Sequence, residues 1–202
     1  MPKLIDHDSR RHEIAHAVWR IVLREGVSAV SIRDVAAEAG LAVGSVRHVF
    51  GTKAELLEYS MALVHERTSE RMTKHFSVRD PRKYAEAVLA ELMPLDDQRR
   101  MDMAVNMAVV AESPSHPALR RVALDAQQAV ADACAAVLAR LHNEKLIRPD
   151  ADLGYETERL HALVDGLALH ALTADAKDLR PKNVLGLLRA HLSALEPGRR
   201  RG

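Results

Sequence analysis

The chain has 202 residues, 48% of them hydrophobic and 28% charged, a balance that suits a soluble globular protein of one large or two small domains. Its formal net charge of +1 supplies no global basic field, so any attraction to nucleic acid has to be local, and 3% aromatic residues argue against stacking platforms for single strands or RNA. The single cysteine, Cys134, excludes an intramolecular disulfide and fits a reducing cytoplasm, while the charged N-terminus reads as neither signal peptide nor membrane span.

Taken in order, residues 1–7 read as a loose arm. Ile14, Val18, Ile21 and Val22 then repeat on one face of a helix over about 9–25, with Trp19 on its flank. Inside this helix His12-Glu13-Ile14-Ala15-His16 fits the H-E-x-x-H zinc pattern. The chemistry would need both imidazoles on the metal, Glu13 as base, and a third ligand such as His48 or His65. With 11 histidines in the chain such a match arises easily by chance. Zinc hydrolysis is the remote alternative, and a solvated or phosphate-facing helix surface is the simpler reading.

The stretch from Ser31 to Lys53 is the most informative. Ser31 precedes Ile32, Val35, Ala36 and Ala39, which fall at helical spacing, and its hydroxyl suits an N-cap. Gly40 stops that helix, because glycine accepts a left-handed backbone without steric cost. A second short helix follows, with Val46, Val49 and Phe50 on its inner side. Thr52-Lys53-Ala54-Glu55 is a capping box that opens a further, long helix. Helix, glycine turn and short helix form a helix-turn-helix, whose second member lies in the major groove of DNA. Two helices around a glycine also occur in many all-α proteins; the polar content of the second favours DNA. Ser45, Arg47 and His48 are short or donor-bearing, Gly44 allows close approach of the backbone, and Arg33 and Lys53 bracket the unit as phosphate contacts would.

Residues 10–57 resemble the N-terminal domain of TetR-family transcriptional repressors. The likeness rests on Ile14, Ala17 and Gly26, on Ser31-Ile32-Arg33-Asp34-Val35-Ala36, on Ala39-Gly40-Leu41, on Gly44-Ser45-Val46 and Phe50, and on Lys53 with Glu55-Leu56-Leu57. Three positions depart from the family pattern. Ala42 stands where Ser is usual, Arg47 where Tyr is usual, and Val49 where Tyr or His is usual. The recognition helix therefore loses its usual cap, and the family's base preference does not transfer.

Beyond the long helix, which carries Leu56, Leu57, Met61 and Val64 inward before charges take over near Arg67–Lys74, residues 77–81 read as a loop. Tyr84, Val88, Leu89 and Leu92 mark a helix stopped at Pro94. Residues 96–112 form a helix rich in methionine, with Met101, Met103 and Met107. After a break at 113–117 comes a long alanine-rich helix over about 118–146, then two closing helices over about 152–174 and 181–195, and a basic tail after Gly198. Leu160, Leu163, Val164, Leu167 and Ala171 form one stripe, and Leu169 and Leu172 extend the apolar surface round the side. A helix apolar on two sides has to be buried twice, by its own core and by a partner chain. A charge at Leu167 or Leu188 is expected either to split such a dimer or to unfold the bundle.

The resulting expectation is an all-α protein: a helix-turn-helix DNA-binding domain over 1–53, then a ligand-binding and dimerisation bundle over 54–202. No Gly-rich phosphate loop, cysteine pair or nucleophile elbow supports an enzyme, and no cofactor is expected. Arg33, Gly44, Ser45, Arg47, His48 and Lys53 are the candidate contacts to double-stranded operator DNA. Met103, Met107, Gln127 and His161 are the candidates for lining a small-molecule effector site. His161 and Asp165, one turn apart, also suit a plain buried polar pair. The resemblance implies about nine helices, a cytoplasmic homodimer and a palindromic operator, usually for repression. Residues 162–167 look faintly like the betaine-responsive branch, too faintly to name an effector. The rival expectation is a DNA-binding protein with no small-molecule input.

Overall fold

The computed structural model describes residues 7–114, 117–174 and 180–198. Most of the expected N-terminal arm, the middle of the break at 113–117 and the tail from residue 199 lie outside the described residues. Within them every regular element is helical: α1 His7–Glu25, a 3-10 turn Val27–Ala29, α2 Ile32–Ala39, α3 Val43–Val49, α4 Lys53–Thr73, α5 Pro81–Glu91, α6 Asp97–Glu112, α7 Pro117–Asn143, α8 Leu153–Thr173 and α9 Pro181–Ala194. The all-α expectation holds. Helical periodicity gives no sign of the three-residue 3-10 turn.

The chain divides into two compact units, residues 1–67 with 104–126 and residues 68–103 with 127–202. In the first, α1 buries Ile14, Val18, Trp19 and Ile21, α2 buries Val35, α3 buries Val46, and α4 buries Leu56 and Met61. Trp19 is fully buried, and its indole N–H donates to the Ser60 carbonyl at 3.0 Å. That bond joins α1 to α4 and satisfies the polar atom that makes a buried tryptophan costly. On the outside Glu38 of α2 accepts from Arg20 at 2.6 Å and Arg24 at 3.0 Å on α1. The two guanidinium groups hold its carboxyl below the usual range.

The second unit is built on Val88, Leu89 and Met93, on Val137, Leu138 and Leu141 of α7, on Leu160 and Val164 of α8, and on Leu188 of α9. Cys134 lies in this core, where burial, and then the nearby Asp165 charge, push its thiol up to about 12. It is a packed apolar side chain and not a nucleophile. The charges near the end of α4 are not all solvated. Arg71 donates to Asp102 at 2.9 Å, Glu91 at 3.0 Å and Thr68 at 3.1 Å. Glu91 also meets His75 at 3.0 Å, and Gln98 donates to Asp102 at 2.9 Å. Arg100 of α6 donates to the carbonyls of Ala171, Leu172 and Ala174 at 2.9–3.2 Å. It thereby supplies the donors that the C-terminus of α8 lacks within the helix.

One stretch, Leu119–Asn143 of α7, is long and apolar enough to cross a membrane by length and composition. It buries Cys134, Val137, Leu138 and Leu141 in the core. Asp125, Gln128 and Asp132 lie on its exposed side, which suits water better than lipid.

Candidate nucleic-acid interface

The first unit carries the helix-turn-helix, and the sequence determines its corners. Ser31 has an extended backbone, and its hydroxyl accepts the Asp34 N–H at 3.2 Å, capping α2. Gly40 sits at φ +67°. Its N–H reaches the Ala37 carbonyl at 3.2 Å, and the Leu41 N–H reaches Ala36 at 2.8 Å. These are the paired bonds of a left-handed helix stop. Ala42 then precedes α3 with no side-chain cap, as its departure from the family pattern implied. At the other end Thr52 Oγ1 accepts the Glu55 N–H at 3.1 Å. The Glu55 carboxylate turns back to the N–H of Gly51, at 2.9 Å, rather than to that of Thr52. The capping box is thus shifted outward by one residue.

Helix α3 has seven residues and buries only Val46. Val43, Gly44, Ser45, Arg47 and His48 are all exposed, Val43 to 40%. Its inner edge is completed by Phe50, buried against Tyr59 with ring centroids 5.3 Å apart and with the Arg11 guanidinium 5.3 Å above its ring. An element with one buried side chain out of seven is not there to fill a core. A Cβ built on Gly44 meets nothing within 4 Å, so the outer side of α3 is open at its middle.

The sequence candidates for DNA contact all lie in the first unit, in different states. Arg33, Arg47 and His48 are exposed and pair with no other described side chain. Lys53 is half-buried, and its ammonium donates to the Ser28 carbonyl at 3.2 Å. Ser28 in turn donates to Glu112 at 3.3 Å. The 3-10 turn that holds Ser28 thereby links the start of α4 to the end of α6, a role with no signal in the local sequence.

The four effector candidates are not gathered in one unit. Met107 belongs to the first; Met103, Gln127 and His161 belong to the second. Gln127 is exposed, whereas Met103 packs against the core of the second unit. His161 Nε2 is 3.4 Å from Asp165 Oδ2, within ion-pair range but without hydrogen-bond alignment. Burial raises the Asp165 carboxyl above its usual range, and His161 partly offsets this. A groove of about 340 Å³ in this unit has a floor of Leu141, Leu146 and Leu192 and a rim that includes Arg82, Glu86 and Arg189. None of the four candidates lines it.

The zinc pattern on α1 is used otherwise. Glu13 pairs with Arg10 at 2.7 Å, the His12 ring stacks near Tyr59, and the His16 ring meets Trp19 edge-on at 4.6 Å. Among the described residues no group of three or more ligating side chains could hold a metal ion.

Two family models cover most of this architecture. Residues 14–59 match the tetR family of bacterial regulatory proteins, and residues 81–196 match the C-terminal domain of BetI-type transcriptional repressors. This chain belongs to the TetR family of transcriptional regulators. The TetR-family chain is 39% identical over 174 residues to the HTH-type transcriptional regulator PksA of Bacillus subtilis, covering 85% of this chain and 83% of the relative. It is 29% identical over 186 residues to BetI of Paraburkholderia xenovorans, covering 89% and 91%. Among solved structures it resembles a transcriptional regulator from Pseudomonas aeruginosa PAO1, with a TM-score of 0.83, 21% identity and coverage of 96% and 94%. It also resembles one from Saccharomonospora viridis in complex with choline, with a TM-score of 0.81, 22% identity and coverage of 95% and 100%. These families and relatives are regulators and not enzymes, which removes the zinc hydrolase alternative.

Proposed function

We propose that this TetR-family regulator is a cytoplasmic homodimeric repressor. It holds a palindromic operator through residues up to about 53 and releases it when a small molecule occupies the helical remainder. The observation that carries the DNA half is α3 itself, which buries one side chain and leaves Arg47 and His48 exposed beside an open Gly44. Arg33 on α2 and His48 are the phosphate contacts, since the first helix of the motif crosses the backbone. Lys53, already bonded to Ser28, acts mainly by holding the 3-10 turn.

The two-fold partner packs on α8 and α9. Leu169 of α8 and Leu187 of α9 are 48% and 54% exposed, whereas Leu167 and Leu188 are 8% and 3% exposed. A charge at Leu167 or Leu188 therefore tests folding, and the substitution that tests dimerisation is Leu187→Glu. Sedimentation of wild type and Leu187→Glu at micromolar concentration separates a dimer from a monomer. A wild-type monomer would refute the two-fold arrangement, and operator half-site spacing with it.

The effector is a mostly apolar molecule, held in the second unit by Met103 and His161 among aliphatic side chains. Gln127 faces solvent and lies outside this site. The choline of the Saccharomonospora neighbour does not carry over. Quaternary ammonium groups are held by clustered aromatic rings. In the second unit Tyr84, with Phe76 at 6.5 Å, already lies under the Arg140 guanidinium at 4.0 Å, and the exposed Tyr155 lies under the Arg159 guanidinium at 5.8 Å. Selection of bound duplex from a random pool, followed by release of that duplex in a panel of apolar and cationic small molecules, tests the reading. Enriched DNA that no compound releases would favour the regulator without small-molecule input.

A further inference from the structure

We infer that each operator half-site carries a guanine read by Arg47 and, one or two base-pair steps away in the same groove, a thymine whose methyl packs on Val43. The inference rests on the operator reading above and adds the base chemistry of that site.

On a helix of 3.6 residues per turn, Val46 marks the inner side of α3. Gly44 and His48 then point most directly outward, Ser45 lies on one flank, and Val43 and Arg47 share the other. The two flanks differ in chemistry. Ser45, with His48 next to it round the helix, offers only polar groups, suited to phosphate oxygens at the groove rim. The opposite flank pairs an exposed valine with the longest cation on the helix. Charged phosphate oxygens give an exposed valine nothing to pack on. The apolar feature of a major groove is the C5-methyl of thymine. Arg47 shares this flank and so reaches for base edges, where its planar fork matches guanine O6 and N7.

The surroundings leave Arg47 free to do so. The acidic side chains of the motif are already engaged: Glu38 by Arg20 and Arg24, Asp34 at the Ser31 cap, and Glu55 at the Gly51 N–H. Gly44, with open space where a Cβ would stand, lets the backbone between the two flanks sit close to the groove floor. Val43 and Arg47 are one turn apart, roughly 6 Å along the axis at about 1.5 Å per residue. Base pairs are spaced by about 3.4 Å, which sets the one- or two-step separation.

The test is selection from a random duplex pool with the full-length protein, as wild type, Arg47→Ala, Arg47→Gln and Arg33→Ala. Wild type should enrich an inverted repeat with the guanine and thymine in each arm. Arg47→Ala should lose discrimination at the guanine by about 5- to 150-fold per half-site while keeping the thymine. Arg47→Gln, whose amide fits adenine, should move that place from guanine to adenine. Arg33→Ala should weaken binding to all sequences and leave the consensus unchanged. Because Arg47 is exposed and unpaired among the described residues, unchanged circular dichroism will show that the variants fold. For the thymine, a duplex with deoxyuridine at that place should bind wild type about fourfold more weakly, the worth of one buried methyl, and should bind Val43→Ala no worse than the thymine duplex. A wild-type consensus that survives Arg47→Ala unchanged, or a uracil effect equal in Val43→Ala, would overturn the half-site alone. A wild-type pool with no common sequence would overturn the operator reading and the half-site together.

Discussion

Arg71→Met probes the buried ionic knot that fixes the end of α4 in the second unit. The wild-type guanidinium serves Asp102, Glu91 and Thr68 at 2.9–3.1 Å. The side chain of Asp102 is 5% exposed, so it cannot turn to water when its partner is removed. Breaking a buried pair from one side costs about 3–5 kcal/mol. Some of that is retained here, because Gln98 still donates to Asp102, Glu91 keeps His75 at 3.0 Å and Arg99 at 3.7 Å, and methionine preserves the apolar stem. The expected loss is about 2–4 kcal/mol, or roughly 5–15 °C in Tm for a chain of this size. Far-UV circular dichroism against urea, at several protein concentrations so that dimer dissociation is separated from unfolding, reads it. Arg71→Met with Asp102→Asn should cost less than the two single changes added together, since the two side chains share one network. A single-mutant loss of about 0.5 kcal/mol, as for an exposed pair, or strict additivity, would refute the knot.

The other stability predictions concern a helix end and pH. Arg100→Met should cost about 1–2 kcal/mol by stranding the α8 carbonyls of Ala171, Leu172 and Ala174. Arg100→Lys should recover little, because one ammonium lacks the planar fork; full recovery by lysine would refute the capping role. His65 is held below the ordinary 6.5 by burial, with Asn106 and Asp125 partly opposing, and His191 by burial and then Arg159, with Glu156 opposing. Both are therefore neutral in the folded chain at a pH where the unfolded chain already binds protons. Stability is fully present above about pH 6.5 and is lost as pH falls toward the lower folded values. Urea midpoints between about pH 7.5 and 5 should fall less steeply in His65→Gln than in wild type, and equal slopes would refute the assignment.

The helix-turn-helix was legible because its corners are set by single residues. Ser31 caps, Gly40 adopts the left-handed backbone, Thr52 caps again, and each acts within a few positions of itself in the chain. Helical periodicity likewise showed where the helices of the second unit run. What periodicity leaves open is the partner of a polar group. The run from Arg67 to Lys74 reads only as the charged end of a long helix, yet Arg71 sits in a knot with Glu91 and Asp102, 20 and 31 residues onward. Trp19 reads as a flank residue, yet it is fully buried because a carbonyl 41 residues away satisfies its indole. Polar or flexible side chains on apolar helices suggest an effector site by residue type, and type contains no distance information. Gln127 faces solvent, and Met103 and Met107 belong to different units.

The two glycines of the motif separate folding from function. Gly40 has φ +67° and open space around a built Cβ, so Gly40→Ala meets only backbone strain, about 1–2 kcal/mol. Gly44 has equally open space but lies inside α3 with no positive φ. There alanine is the better helix former by about 0.8–1.0 kcal/mol, and Gly44→Ala should raise Tm by about 2–4 °C. The same methyl would stand on the outward side beside His48, between the Val43 and Arg47 flank and the Ser45 flank. It should hold α3 off the groove floor and weaken operator binding by about tenfold, comparable to one lost base contact. A gain in stability with a loss of binding is the signature of a glycine kept for its closeness to DNA. Thermal unfolding and a fluorescence titration with the selected duplex measure the two effects on one protein. If Gly44→Ala binds operator as tightly as wild type, the backbone of α3 does not approach the DNA there, and the docking of this helix has to be redrawn.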